Sequence, residues 1–131
     1  MSAINIKTSG MHHVAFRSAN LSRAKKFYVD TLGFPLLLEN PELIIVGIGN
    51  FALAIKGPDA GTPKGDSFNP FRVGLDHIAL ASADLSEIER VAGLLKENGI
   101  WSEGPKVDPT LGKTYVAFKD PDGIKLELYQ A

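Results

Sequence analysis

The chain holds three histidines, His12, His13 and His77, and no cysteine, so any metal chemistry falls to imidazole and carboxylate donors. A lone histidine beside apolar residues carries little information. Two of these, however, occupy matching places in an internal repeat. HHVAFRSANLS at 12–22 lies over DHIALASADLS at 76–86 with a constant offset of 64, which sets His13 on His77. A carboxylate joins them from the last stretch, TYVAFKDPDGIKLELY, where the turn Asp120-Pro121-Asp122-Gly123 separates two alternating runs. If Ile124, Leu126 and Leu128 share one face, Lys125, Glu127 and Tyr129 share the other. Two neutral imidazoles and one carboxylate on rigid strands make a facial set. Such a set leaves positions open for water or substrate on Fe(II), Mn(II), Ni(II) or Zn(II). His13, His77 and Glu127 are therefore the expected ligands, brought together by a pseudo-two-fold packing of the repeats. Arg17 shares a strand face with His13 about 13 Å along and is a candidate anchor for an anionic substrate. Alternation puts His12 on the opposite face from His13.

The elements that carry these residues repeat as well. Met11 to Ser18 reads as a strand, and Asn20 caps a helix whose apolar positions Leu21, Ala24, Phe27, Tyr28 and Leu32 run to a stop at Gly33. Pro35–Glu39, Leu43–Gly47 and Phe51–Lys56 read as three strands. The second half repeats the order. Asp76–Ser82 is a strand, and Asp84 with Glu87 predicts a capping box. Leu85 to Leu95 is the helix, with Gly99 as its stop, and Ile100–Glu103 is a short strand before the hairpin. In this register Ala54 lies opposite Glu127.

The expected class is α+β, with two tandem βαβββ modules, 11–56 and 75–130, forming a curved mixed-sheet cup within a single domain of 131 residues. The glycine- and proline-rich stretch 57–74 is the expected linker. Each module alone is one sheet with one helix, which cannot cover both sheet faces.

Composition narrows the partners. A net charge of −1 with no basic cluster gives no footprint for nucleic acid or an anionic membrane. No apolar run approaches the length of a membrane span, and the opening MSAINIKTSG lacks a signal core, so the cytoplasm is the expected location. What remains is a small-molecule substrate.

The quoted segments resemble the vicinal oxygen chelate superfamily, which includes glyoxalase I, extradiol dioxygenases, fosfomycin-resistance proteins and bleomycin-binding proteins. HHVAFRSANLSRAKKFYVDTLGF is similar to its opening strand and helix, VGLDHIAL to its second histidine strand, and FKDPDGIKLELY to its closing hairpin. The resemblance implies a divalent metal on His13, His77 and Glu127, with Glu127 as a candidate catalytic base, and a homodimer. It also sets Arg17 on an arginine that contacts glutathione in glyoxalase I. The chain departs from glyoxalase I at Ala54, where those enzymes bring a fourth ligand, and from extradiol dioxygenases at Ala117, where those carry a tyrosine. Two functions stay open. One is a metal-dependent lyase, isomerase or dioxygenase that chelates vicinal oxygens of a small molecule. The other is a sequestration protein of bleomycin-resistance type that binds without catalysis.

Overall fold

The computed structural model describes residues 2–131, which divide into two compact units with the boundary between Thr62 and Pro63. Each unit holds a four-stranded mixed sheet and one main helical segment, so the class is α+β. In the first unit the strands are β1 (His13–Arg17), β2 (Leu36–Glu39), β3 (Leu43–Ile48) and β4 (Phe51–Lys56), in sheet order β1-β4-β3-β2. In the second they are β5 (Ile78–Ser82), β6 (Ser102–Val107), β7 (Thr114–Lys119) and β8 (Lys125–Gln130), in order β5-β8-β7-β6. The first strand of each sheet pairs parallel with the last; the other pairings are antiparallel.

The registers give the repeat a physical form. Ala15 faces Ala54 across the parallel pair of one sheet, and Ala79 faces Glu127 across that of the other. The offsets are therefore 79 − 15 = 64 on the first strand and 127 − 54 = 73 on the last. Ala54 is thus the register counterpart of Glu127.

The apolar face of each sheet is covered by its own helix. In the first unit Ala24, Phe27 and Tyr28 are buried with Ile44, Val46, Leu53 and Ile55. In the second, α2 (Leu85–Glu97) buries Ile88 and Leu95, and the sheet contributes Ile78, Leu80, Val116, Phe118 and Leu126. Fully burying one such side chain is worth about 1.5–3 kcal/mol. Among the described residues no helix is long and apolar enough to cross a membrane.

Several local readings need correction. The first helix is regular α only over α1 (Leu21–Lys25); Lys26–Thr31 continues as a π-helix, with Leu32 N–H bonded to Phe27 C=O. The wider turn lets the adjacent aromatics Phe27 and Tyr28 both be buried, with ring centroids 5.1 Å apart. Asn20 caps α1 as expected, its side chain accepting from Arg23 N–H at 3.0 Å, and both helical segments are followed by glycines at positive φ, Gly33 and Gly99. The capping box is only half made. Asp84 accepts from Ser86 N–H, but Glu87 turns away to hold Arg90 in a two-pronged ion pair. Finally, β6 is longer than Ile100–Glu103, because its edge position and a register shift between Ser102 and Pro105 accommodate a proline that reads as a break.

Candidate metal centre

Glu127 lies mid-strand on β8, with Ala79 on one side and Ala117 on the other. Two methyl-sized neighbours leave room above the carboxylate. Even so, Glu127 is only 6 % exposed. Oε1 lies 3.3 Å from Nε2 of His77, and Oε2 lies 3.5 Å from Nζ of Lys125. His77 stands one residue before β5, so its ring is carried at the strand's entrance rather than within the ladder. Its other nitrogen, Nδ1, is 2.6 Å from Oδ1 of Asp76. A carboxylate without a proton only accepts, so Nδ1 donates. That hydrogen bond holds Asp76 below its ordinary pKa.

His77 thus carries a proton on Nδ1, and in the neutral ring the lone pair is on Nε2, the atom nearest a Glu127 oxygen. At 3.3 Å the two atoms are satisfied either by a proton on Nε2, which Glu127 then accepts, or by a cation held between them. The donor set suits a metal. Bond lengths of roughly 2.0–2.2 Å set adjacent ligand atoms about 3.0–3.4 Å apart, and the observed spacing falls inside that window.

Around this pair the face is polar at both ends. Lys119 pairs across the ladder with Lys125 and rests over the Trp101 ring, 4.4 Å from its centroid. In the other direction Tyr129 stacks on Tyr115, and its hydroxyl donates to Asp108 Oδ2 at 2.8 Å. Burial, then the Asp108 hydrogen bond, push the Tyr129 pKa up to about 12. A phenol held so firmly protonated is a hydrogen-bonding group rather than a proton acceptor near neutral pH.

In the first unit His13 opens β1, and Ala15 and Arg17 share its exposed face. His12 precedes the strand and so escapes its alternation. Contrary to the expectation that it points away, its Nδ1 is 2.8 Å from Nδ1 of His13, with the rings edge to face. Arg17 donates through Nη1 to Gly57 C=O at 2.6 Å and pairs through Nη2 with Asp59 at 3.5 Å. The Gly61 N–H and then Arg17 hold Asp59 below its ordinary pKa. Beside His12 an open depression of about 740 Å³ is lined by Met11, Phe34, Leu37, Ile48 and Phe51.

Among the described residues, no group of three or more histidines and carboxylates is gathered closely enough to hold a metal ion. The structure brings together His77 and Glu127, adds Asp76 and Lys125 as their neighbours, and sets His12 against His13 in the first unit. The sequence held a signal for the first two of these. His12 and Asp76 are the aligned residues preceding His13 and His77 in the repeat.

The sequence pattern of the Glyoxalase/Bleomycin resistance protein/Dioxygenase superfamily matches residues 10–128. The chain belongs to this superfamily. An uncharacterised Bacillus subtilis protein, YwkD, is 30% identical over 128 residues, covering 92% of this chain and 95% of that one. A lactoylglutathione lyase of Haemophilus influenzae is 32% identical over 133 residues, covering 90% of each. Among solved structures, a glyoxalase family protein from Enterococcus faecalis matches with a TM-score of 0.74 at 34% identity, over 93% of this chain and 98% of that one. As a glyoxalase-superfamily member the chain shares its scaffold with metal-dependent lyases, transferases and resistance proteins.

Proposed function

We propose that this glyoxalase-superfamily chain is a metal-dependent enzyme that chelates vicinal oxygens of a small molecule. His13, His77 and Glu127 are the proposed ligands of a divalent Fe, Mn, Ni or Zn ion. The observation that carries the reading is the 3.3 Å apposition of His77 Nε2 and Glu127 Oε1, with His77 Nδ1 already occupied by Asp76. His13 enters as the counterpart of His77 in the repeat. A divalent ion held there supplies Lewis-acid stabilisation of negative charge developing on a substrate oxygen.

The chain's own residues supply the rest. Glu127 is the candidate base, with Lys125 beside Oε2 to orient it. Arg17 uses two of its nitrogens on Gly57 and Asp59, and its side chain stays 39% exposed, so a guanidinium N–H can still reach an anionic group. Ala54 offers no fourth ligand at the register position of Glu127. Two neutral imidazoles and one carboxylate leave a divalent ion with net positive charge, which favours anionic chelators such as 2-oxoacids and ionised catechols over neutral ones. The depression beside His12 supports a substrate with a small apolar part. A homodimer belongs to the proposal on the strength of the family resemblance.

The test is elemental analysis of protein purified without added metal, repeated on His77→Ala and Glu127→Ala. About one ion per chain in the parent and none in either variant is expected. Turnover of 2-oxoacids, catechols and hemithioacetals by the loaded protein then names the substrate class. A parent with no metal favours sequestration of a small molecule without catalysis. That second reading draws on a specific observation: Lys125 also pairs with Glu127, and no third donor is gathered beside it among the described residues.

A further inference from the structure

We infer that the residue immediately before each candidate histidine, His12 in one repeat and Asp76 in the other, is a positioning residue that holds its neighbour's Nδ1 so that Nε2 is presented as a lone pair. For its purpose the inference rests on the metal reading above. The orientation itself is a property of the metal-free chain.

The two contacts are alike in place and unlike in chemistry. Asp76 meets Nδ1 of His77 at 2.6 Å with a carboxylate oxygen, and His12 meets Nδ1 of His13 at 2.8 Å with an imidazole nitrogen. Residues 12 and 76 are related by the offset of 64 that relates the histidines they touch. Two different side chains thus reach the same atom from the same position. Neither contact is imposed by strand pairing, since β1 begins at His13 and β5 at Ile78.

The acceptor decides the tautomer. Which ring nitrogen of a neutral histidine carries the proton is set by the hydrogen bond the other makes. Asp76 can only accept, which puts the proton of His77 on Nδ1 and its lone pair on Nε2, the atom that faces Glu127. For His13 to be presented in the same way, His12 must accept through its own Nδ1 and carry its proton on Nε2. The carboxylate is the stronger of the two orienters, because its bond to Nδ1–H is charge-assisted. Asp76 is largely exposed, so water competes for it, and the effect on ion affinity is a modulation rather than an on–off switch.

The test uses the full chain, uniformly ¹⁵N-labelled and metal-free, with long-range ¹H–¹⁵N correlation of the imidazoles at a pH where they are neutral. His77 and His13 are expected to show a pyrrole-type Nδ1 and a pyridine-type Nε2. Asp76→Ala is expected to move His77 toward an averaged mixture and leave His13 unchanged; His12→Ala is expected to do the reverse. In parallel, Zn²⁺ affinity is measured against a competing chelator. Asp76→Ala is expected to weaken it about 10- to 100-fold, and His77→Ala to abolish it. A merely structural role for Asp76 leaves the tautomer signature of His77 where it was. A His77 that keeps its Nδ1 proton in Asp76→Ala overturns the inference, and so does Zn²⁺ affinity that does not respond to that variant. A parent that takes up no Zn²⁺ but shows both Nδ1–H tautomers overturns the metal reading and leaves the orienting role standing.

Discussion

Replacing Asp120 with alanine tests how Glu127 is held in place. Asp120 is 5% exposed, and its Oδ1 accepts the backbone N–H groups of Asp122 and Ile124, each at 2.8 Å. Those two bonds close the turn between β7 and β8, together with the backbone pair from Asp120 N–H to Ile124 C=O at 2.9 Å. Alanine removes the acceptor and leaves two donors on buried residues. An unsatisfied buried donor costs about 1–3 kcal/mol. One of the two can be rescued by water at the turn, so a net loss of about 1–3 kcal/mol is expected. For a chain of this size each kcal/mol lowers Tm by roughly 3–6 °C, which puts the expected drop near 10 °C. Urea unfolding followed by Trp101 fluorescence and circular dichroism gives the free energy directly. Asp120→Asn is the control, since it keeps an acceptor oxygen and is expected to retain most of the stability. An alanine variant within about 0.5 kcal/mol of the parent, inside the ordinary range for surface substitutions, refutes the assignment of this side chain as the turn's clasp.

Ile88→Ala, which empties a fully buried position under the second sheet, is expected to cost about 2–5 kcal/mol in the same urea assay. Asn20→Ala removes the acceptor for Arg23 N–H and is expected to cost about 1 kcal/mol, with little change to signals from the second unit. Asp108 is held below its ordinary pKa, first by the Tyr129 hydroxyl and next by Thr110 N–H. A depressed carboxylate pKa favours the fold above the unfolded value and loses that contribution as pH falls through the folded value. The carboxyl carbon of Asp108 is therefore expected to titrate in NMR below 3.8, and Tyr129→Phe to move the midpoint up toward that ordinary value.

The repeat was the most legible feature of the chain because it is written twice. An offset of 64 aligns His13 with His77 in the sequence, and the same offset relates Ala15 to Ala79 in the parallel ladders. The strict alternation of β5 was readable because one of its faces is buried and the other is not. The features that escaped are those where a local rule is overridden. The π-helical turn at Lys26–Thr31 is invisible to a period of 3.6, since only burial of both Phe27 and Tyr28 rewards the extra residue. Pro105 reads as a breaker, yet an edge strand tolerates it where the missing N–H has no ladder partner to lose.

The candidate site divides along the same line. Glu127 was legible because alternation from Ile124 fixes its face, and its flanks Ala79 and Ala117 follow from register. The roles of His12 and Asp76 were not, because both sit just outside a strand, where alternation no longer constrains a side chain. Asp76 reads from composition as one more surface acid. Its significance lies in a 2.6 Å contact to one nitrogen of the next residue, and that contact decides what the other nitrogen can do. The pattern of apolar residues specifies which backbone positions face together. Orientation of a ring about its own axis is set by a single hydrogen bond, a quantity that periodicity does not carry and that side-chain coordinates do.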